Sequence, residues 1–185
     1  MPAIFISYRR SETSGFSGRI YDRLRAILGN ANVFMDVESI EPGEDWRARL
    51  RERIARADIV LVLIGAEWLT LTDEHGRRRI DDPDDVTHWE IAGAAAQGKR
   101  IIPILLQGAP LPRRTDLPAL LAPLADRQYV EIRHESFDAG SCGARITQVH
   151  VAQAFQSLQH IDSDVGNFCP VQIQLFELQQ IFQML

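Results

Sequence analysis

The sequence predicts an α/β domain with a parallel sheet, on three observations. Short apolar segments alternate along the chain with segments whose apolar residues recur every three or four positions, as in amphipathic helices. The segment Ile59–Ile64 is apolar at every position and is followed by Gly65, which is typical of a parallel strand covered on both faces. Strand and helix alternate about five times, which favours right-handed crossovers and helices on both faces of the sheet.

The apolar segments predict five strands. Their ranges are residues 3–7, 32–35, 59–64, 100–105 and 128–132. The third strand is the most uniformly apolar, so we expect it at the centre of the sheet, and we expect the short fifth strand at an edge. A proline-rich loop with a short helical piece near residues 117–124 connects the last two strands.

The spacing of apolar residues predicts the first two helices. The first helix follows a polar, turn-rich segment at residues 8–15, with Ser14 or Ser17 as its cap and Gly29 at its end. Its apolar positions are Ile20, Leu24, Ile27 and Leu28. The second helix follows a loop at residues 36–45. Its apolar positions are Trp46, Leu50 and Ile54.

The third helix contains the residue that stands out most in the chain. Asp84 and Asp85 suit its N-cap and first turn, and an alanine-rich segment then continues to Gly98. Within this segment, Glu90 is followed by small and apolar residues of the kind that let a helix lie close to a sheet. Its carboxylate therefore either points to solvent or takes part in chemistry, and we expect it to be half-exposed.

The composition argues against several classes of function. With 20 basic and 25 acidic residues, the net charge of −5 disfavours a nonspecific binder of nucleic acid or of membrane surfaces. Cys142 and Cys169 are the only cysteines, and the five histidines share no metal-ligand spacing, so no disulfide framework and no metal site is predicted. No apolar segment approaches the ~20 residues of a membrane span, and the start lacks a secretory signal. We therefore expect a soluble, cytoplasmic protein.

The chain divides into two parts by composition. Residues 1–140 form the predicted α/β domain, and residues 141–185 form a tail that has no lysine and nine glutamines. Pro170 separates two possible helices in this tail, and the second helix has a narrow apolar stripe. The tail is either a packing or self-association element or a segment appended to the domain.

Charged loops follow the first three strands, so they meet at the carboxyl edge of the predicted sheet, where ligands of such sheets bind. They are Tyr8-Arg9-Arg10, residues 36–45, and the segment from Gly65 to the Glu90 helix. Arginines there suit phosphate, carboxylates suit ribose hydroxyls, and aromatic rings suit a base. Neither a G-x-G-x-x-G nor a G-x-x-x-x-G-K-[ST] motif occurs, so the usual phosphate-binding loops are absent from the sequence.

The same residues also have purely structural interpretations. Arg9 and Arg10 would be positive residues of a solvated loop, and Asp36 would be a turn or cap residue. Trp46 and Trp89 would pack between helices rather than stack on a base. Four aspartates before the third helix would cap it rather than bind a divalent cation. They are Asp81, Asp82, Asp84 and Asp85.

Six segments, in order, resemble a bacterial TIR (Toll/interleukin receptor) domain. They are FISYRR at residues 5–10, VFMD at 33–36, IEPGED at 40–45, DIVLVLI at 58–64, WEI at 89–91 and IIPI at 101–104. The resemblance extends from residue 3 to about residue 138. It implies a flavodoxin-like sheet of five parallel strands, in agreement with the alternation of strand and helix.

The resemblance also implies an activity, because part of this family cleaves NAD and part only associates with other TIR domains. Catalytic members have a glutamate where Glu90 stands. They often have a tryptophan four residues earlier, a position that is Val86 here. Other family positions that line the nucleotide cleft correspond here to Tyr8, Arg9, Arg10, Asp36 and Glu41. NAD would be a substrate, and no separate cofactor is expected.

The implied reaction is an NAD glycohydrolase or ADP-ribosyl cyclase reaction, with other TIR domains as partners. One carboxylate suffices, because nicotinamide leaves as a neutral group and the positive charge develops on the ribose. In self-association, we expect residues 38–45 to present carboxylates to a basic surface of another copy. That surface is Arg47, Arg49, Arg51 and Arg53.

Two alternatives to an enzyme remain at this stage. The first is a noncatalytic TIR domain that only mediates protein–protein interaction, for which a glutamate beside the cleft would have no purpose. The second is a phosphoacceptor domain of the receiver type. Such a domain needs an aspartate at the end of the third strand, and the residue there is Gly65.

Overall fold

The computed structural model describes residues 2–35 and 43–133 of the chain. Except for Arg133, these residues belong to one compact unit that ends at Ile132. Several of the predictions lie outside the described residues. They concern Asp36, Glu41, Pro42 and the tail at residues 141–185.

The described residues form one sheet of five parallel strands. These are β1 (Ile4–Ser7), β2 (Val33–Met35), β3 (Ile59–Ile64), β4 (Arg100–Leu106) and β5 (Val130–Ile132). Their order is β2-β1-β3-β4-β5, with every neighbouring pair parallel. The predicted fold class is confirmed, with β3 at the centre and β5 at an edge. The chain runs outward in one direction from β1 to β2 and in the other from β3 onward, so the carboxyl ends of β1 and β3 flank the switch point where such sheets bind ligands.

Three α-helices lie among the described residues. They are α1 (Arg10–Leu28), α2 (Trp46–Arg56) and α3 (Val86–Ala96). The helical piece expected near residues 117–124 is a short 3-10 turn at Ala122–Asp126. None of the described helices is both long enough and apolar enough to cross a bilayer.

The start of α1 differs from the prediction. The helix begins at Arg10, directly after β1, rather than after the turn-rich segment, and neither serine is its cap. Arg9 occupies the N-cap position, and its carbonyl oxygen accepts a hydrogen bond from Thr13 Oγ1 at 3.1 Å. Contacts of Arg9 and Glu12 with distant loops, described below, hold this first turn and override its turn propensity. Gly29 ends the helix as predicted, with a φ of 82° that a residue with a side chain rarely adopts.

The core lies on both faces of β3, all of whose residues are buried. Val60, Val62 and Ile64 pack in one apolar cluster with residues of α2 and α3. The helix residues of that cluster are Leu50, Ile54, Ile91 and Ala94. Successive strand residues point to opposite faces, so Ile59, Leu61 and Leu63 face the side of α1. Among the described side chains of α1, the buried apolar residues are Ile20, Leu24 and Leu28, three of the four that the spacing predicted. Each such burial contributes roughly 1.5–3 kcal/mol to folding.

Candidate functional site

Buried polar side chains mark one end of the sheet. Within residues 2–35 and 43–133, the polar or charged residues that are buried come from two short segments only. They are Ser7, Arg9, Thr13 and Ser17 in the first segment, and Asp85, Thr87, His88 and Glu90 in the second. The first segment follows the carboxyl end of β1, and the second begins α3. An ion pair between Arg9 and Asp85 joins them, so the start of α3 lies at the switch point.

Asp85 is the centre of a buried charge network. Its Oδ2 atom accepts a hydrogen bond from Arg9 Nη1 at 3.1 Å and one from Arg79 Nε at 3.0 Å, and Arg79 Nη2 lies 2.9 Å from the same oxygen in an ion pair. The side chains of Arg9 and Asp85 are 2% and 3% exposed, whereas that of Arg79 is 43% exposed. The interpretation of Arg9 as a solvated loop residue is therefore wrong. Arg9 is fixed inside the protein by a carboxylate that is 76 positions away in sequence.

Arg9 has further donor atoms beyond this ion pair. Nε and Nη2 are both buried, and neither has a hydrogen-bond partner among the described residues. Burial of polar groups without partners is costly, and such groups are rare in folded proteins. Two adjacent donors of this kind on one guanidinium are therefore an unusual feature of this end of the sheet.

The aspartates before α3 act as caps and in ion pairs, as the structural interpretation predicted. Asp85 is the N-cap of α3, and its Oδ1 atom accepts a hydrogen bond from the backbone of His88 at 3.2 Å. Asp84 pairs with Arg47, Asp81 pairs with Arg78, and Asp82 accepts from the backbone of Asp84. Among the residues that the structure describes, no three His, Cys, Asp or Glu side chains are grouped so that they could hold a metal ion.

Glu90 lies in the second turn of α3 and is 1% exposed. The expectation of a half-exposed carboxylate is therefore wrong. The cause is its helical position. Thr87, three positions before, and Ala94, four positions after, are also buried, so Glu90 belongs to the face of α3 that lies against the sheet. A carboxylate placed on this face has no role in packing that an apolar residue would not fulfil better.

Two neighbours of Glu90 on α3 have different environments. The imidazole of His88 is buried, and its Nδ1 atom lies 2.7 Å from the carbonyl oxygen of Ile80, so Nδ1 carries the proton and donates. The ring of Trp89 packs edge-on against that of Trp46, with centroids 6.2 Å apart, and the guanidinium of Arg51 lies over it at 5.7 Å. The structural interpretation of both tryptophans is confirmed, because they hold α3 against α2.

A second carboxylate, that of Glu12 on α1, lies at the same end of the sheet. Its Oε1 atom accepts a hydrogen bond from the backbone N–H of Glu67 in the loop after β3. Burial raises the pKa of Glu12 above its ordinary value, although the hydrogen bond from Glu67 acts in the opposite direction. The carboxylate lies so close to Gly65 that a Cβ added there would stand 2.4 Å from Oε1. Gly65 therefore leaves the space that Glu12 occupies.

The arginines of α2 are engaged within the chain. Arg47 pairs with Asp84, Arg49 pairs with Glu44, and Arg51 covers Trp89. Arg53 Nη1 lies 3.4 Å from the carbonyl oxygen of Met35. Asp45 caps α2 by accepting from the backbone of Arg47 and Ala48. Glu44 and Asp45, two of the carboxylates that we expected to contact another copy, therefore already have partners in their own chain.

The structure brings together some of the residues that the sequence singled out. Tyr8 and Arg9 are buried beside the end of β1, whereas Arg10 is exposed. Asp36 and Glu41 lie outside the described residues. Sequence reasoning missed four residues of this end of the sheet. They are Ser7, Glu12, Arg79 and His88. Of these four, only His88 could have been found from the sequence, because it lies two positions before Glu90.

Comparisons with known proteins agree with this fold. The family model described as TIR domain matches residues 4–145, roughly three quarters of the chain. The TIR domains of the activated Roq1 resistosome, which directly recognises the pathogen effector XopQ, have a TM-score of 0.52 and 12% identity. That match covers 85% of this chain and 99% of the other.

Two enzymes give weaker structural matches. A 2-desoxiribosyltransferase from Leishmania mexicana has a TM-score of 0.40 and 18% identity, over 60% of this chain and 69% of its own. The CMP N-glycosidase BcmB from Clostridium botulinum has a TM-score of 0.38 and 15% identity, over 83% of this chain and 98% of its own. The extent of the family match, together with the strand order, establishes that this chain belongs to the TIR domain family.

Proposed function

We propose that this TIR domain cleaves NAD and releases nicotinamide, with Glu90 as the catalytic carboxylate. The observation that carries the proposal is the position of Glu90, a carboxylate on the sheet-facing side of α3, beside the switch point of the sheet. Packing does not account for a charge there, because this face otherwise contacts apolar strands.

The chemistry needs little more than this carboxylate. The bond between C1′ of the ribose and the nicotinamide nitrogen breaks, its electron pair stays on the nitrogen, and nicotinamide leaves neutral. Positive charge develops on the ribose, and Glu90 would stabilise it and hold the ribose hydroxyls. Its burial strengthens this effect, because a charge acts more strongly in a medium of low dielectric constant. Water then adds at C1′ and loses a proton to give ADP-ribose, or a nucleophile within the ADP-ribose gives a cyclic product.

Burial of Glu90 has a second consequence for the proposed reaction. At 1% exposure the carboxylate is closed to a substrate, so turnover requires that this end of the domain opens. We propose self-association as the event that opens it. The TIR domains of the Roq1 resistosome have the same fold and belong to an assembly, which supports this choice. The contact would not rely on Glu44 and Asp45, since both are engaged within the chain.

The test is NAD cleavage by the purified chain over a range of protein concentrations. We expect nicotinamide and ADP-ribose or its cyclic form, identified by chromatography, and a rate per molecule that rises with concentration as light scattering detects larger assemblies. A rate per molecule that stays flat would contradict activation by self-association and keep the catalytic proposal. Absence of nicotinamide in samples that do assemble would favour the alternative, a noncatalytic TIR domain that mediates protein–protein interaction.

A further inference from the structure

One side chain crosses the crevice between β1 and β3. These strands are neighbours in the sheet, with Ser7 paired to Val62, and they flank the switch point, so the crevice lies between the loops that follow their carboxyl ends. Glu12 lies in the first turn of α1, directly after β1. Its Oε1 atom accepts a hydrogen bond from the backbone N–H of Glu67, directly after β3. The carboxylate of Glu12 therefore joins the two sides of the crevice.

The surroundings of this carboxylate leave space for it but hold it at a cost. Gly65 provides the space, because a Cβ there would clash with Oε1 and Cδ of Glu12. The other oxygen, Oε2, is buried and has no hydrogen-bond partner among the described residues. Burial raises the pKa of Glu12, and the nearby charge of Glu67 also raises it. The ionised carboxylate is thus closely fitted and yet unfavourably placed, which suits a contact that has to be released.

The contact lies near the surface, so it can break without loss of the core. Ala66 and Glu67 are exposed, whereas the next residue, Trp68, is 1% exposed and packs in the apolar core. The loop after β3 is therefore anchored at Trp68, and only a short part of it is free to move. Rotation of the half-buried Glu12 side chain away from Glu67 is enough to break the link across the crevice.

We infer that Glu12 is a latch that closes the crevice, and that release of its carboxylate from Gly65 and Glu67 opens the way to Glu90. The closure follows from the contact itself. The expected effect on NAD cleavage rests on the proposed function, in which self-association would be the event that releases the latch. Glu12 controls access and takes no part in the reaction, so its loss should speed the reaction rather than slow it.

The first measurement is the rate at which a thiol reagent labels Glu90→Cys in the full chain. Cys142→Ser and Cys169→Ser remove the two native thiols. The labelling rate reports how often the crevice opens, whether or not the chain cleaves NAD. Ala94→Cys is the matched control, because Ala94 is buried on the same helix one turn later. Faster labelling there would report that α3 leaves the sheet as a whole.

Two substitutions remove the latch from opposite sides. Glu12→Ala removes the carboxylate, and Gly65→Ala fills the space that it occupies. The backbone of Gly65 lies outside the left-handed region, so alanine fits its conformation. The controls are Asp22→Ala, which removes an exposed carboxylate from α1, and Gly18→Ala, whose added Cβ meets no atom within 4 Å.

We expect Glu12→Ala and Gly65→Ala each to speed labelling of Glu90→Cys about tenfold or more, because a charge-assisted hydrogen bond no longer closes the crevice. The two changes combined should add little to either alone, since both remove the same contact. Labelling of Ala94→Cys should stay unchanged, and neither control should alter any of these rates.

The second measurement is nicotinamide release by chains that keep Glu90, at protein concentrations where light scattering detects only monomers. Glu12→Ala and Gly65→Ala should release nicotinamide several-fold faster than the parent under these conditions, because a crevice held closed by fewer contacts opens more often. Melting temperatures identify any variant that has unfolded, and the other latch variant then decides the outcome.

Three results would overturn the inference. The first is an unchanged labelling rate of Glu90→Cys in the Glu12→Ala chain, and the second is equal acceleration at Ala94→Cys. The third is a parent that cleaves NAD when assembled together with a folded, monomeric Glu12→Ala chain that cleaves it no faster than the monomeric parent. Failure of the proposed function looks different: a chain with the expected labelling rates that never cleaves NAD, even when assembled, keeps the latch and loses the catalytic proposal.

Discussion

At the amino end of the sheet, two charged side chains near the surface hold backbone groups. Asp58, just before β3, is exposed and accepts a hydrogen bond from the backbone of Ala3 at 2.8 Å, and Lys99, just before β4, donates to the carbonyl oxygen of Ala55. At the carboxyl end, Arg9 and Asp85 are buried and bind each other. Arg100, the first residue of β4, is half-buried, but Asp58 and Lys99 keep contact with solvent, whereas the ion pair of Arg9 and Asp85 is buried.

The two ends differ in whether their charged side chains help the protein to fold. Exposed charges at strand ends satisfy backbone groups with little loss of solvation. Buried charges lose their solvation, and their mutual attraction only partly compensates for it, so an apolar pair in their place would often be at least as stable. The buried charges at the carboxyl end therefore lower the stability of the fold relative to apolar residues in the same places. Such a loss of stability is common at functional sites.

Removal of the central carboxylate should give the largest loss of stability. Asp85→Ala leaves the buried Arg9 without its partner and removes the cap of α3, so we expect the free energy of unfolding to fall by about 4 kcal/mol. Urea unfolding monitored by circular dichroism measures this. Asp85→Asn, which keeps a capping side chain, should lose less.

The matched variant at the other end of the sheet is Asp58→Ala. It also removes an aspartate that holds a backbone N–H, but from an exposed position. We expect a much smaller loss of stability than for Asp85→Ala. Equal losses for the two variants would mean that the two ends of the sheet do not differ in the way described here.

A smaller, pH-dependent effect is expected at Glu12. Because its pKa is raised in the folded protein, the folded state keeps a proton that the unfolded state releases as the pH rises above the ordinary value of 4.5. The free energy of unfolding of the parent should therefore fall between pH 4.5 and the raised pKa. Glu12→Gln removes this fall, because an amide does not titrate in this pH range. The amide oxygen can still accept the hydrogen bond from the backbone of Glu67. The stability of the variant relative to the parent should thus increase with pH over this window, and parallel pH profiles for the two proteins would contradict it.

The sequence predicted the strands better than the charged end of the sheet. β3 was predicted at its observed bounds because a strand covered on both faces is apolar at every position. The start of α1 was wrong, since Arg9 and Glu12 form their contacts with residues far away in sequence, and no local pattern encodes them. Arg79 was missed for the same reason, because it belongs to an irregular segment and meets Asp85 only after folding.

The assignment of Glu90 as the catalytic residue stays a prediction, and its burial was not predicted. A helix with small residues on several sides gives no clear apolar stripe, so the sequence did not indicate which side of α3 faces the sheet. The assignment of Tyr8 and Arg10 to the nucleotide cleft stays a prediction.

Glu90→Gln tests the central claim most directly. The amide keeps the shape of the side chain and removes its charge, so we expect the fold to persist, with a melting temperature close to that of the parent. The control is Glu74→Gln, which removes a carboxylate whose side chain is 88% exposed and far less constrained.

The measurement is the rate of nicotinamide release from NAD at a protein concentration where the parent is active. Glu90→Gln should lower this rate by about a thousandfold, because stabilisation of the positive charge on the ribose is lost, while Glu74→Gln should not change it. A folded Glu90→Gln protein that releases nicotinamide as fast as the parent would contradict the catalytic role of Glu90.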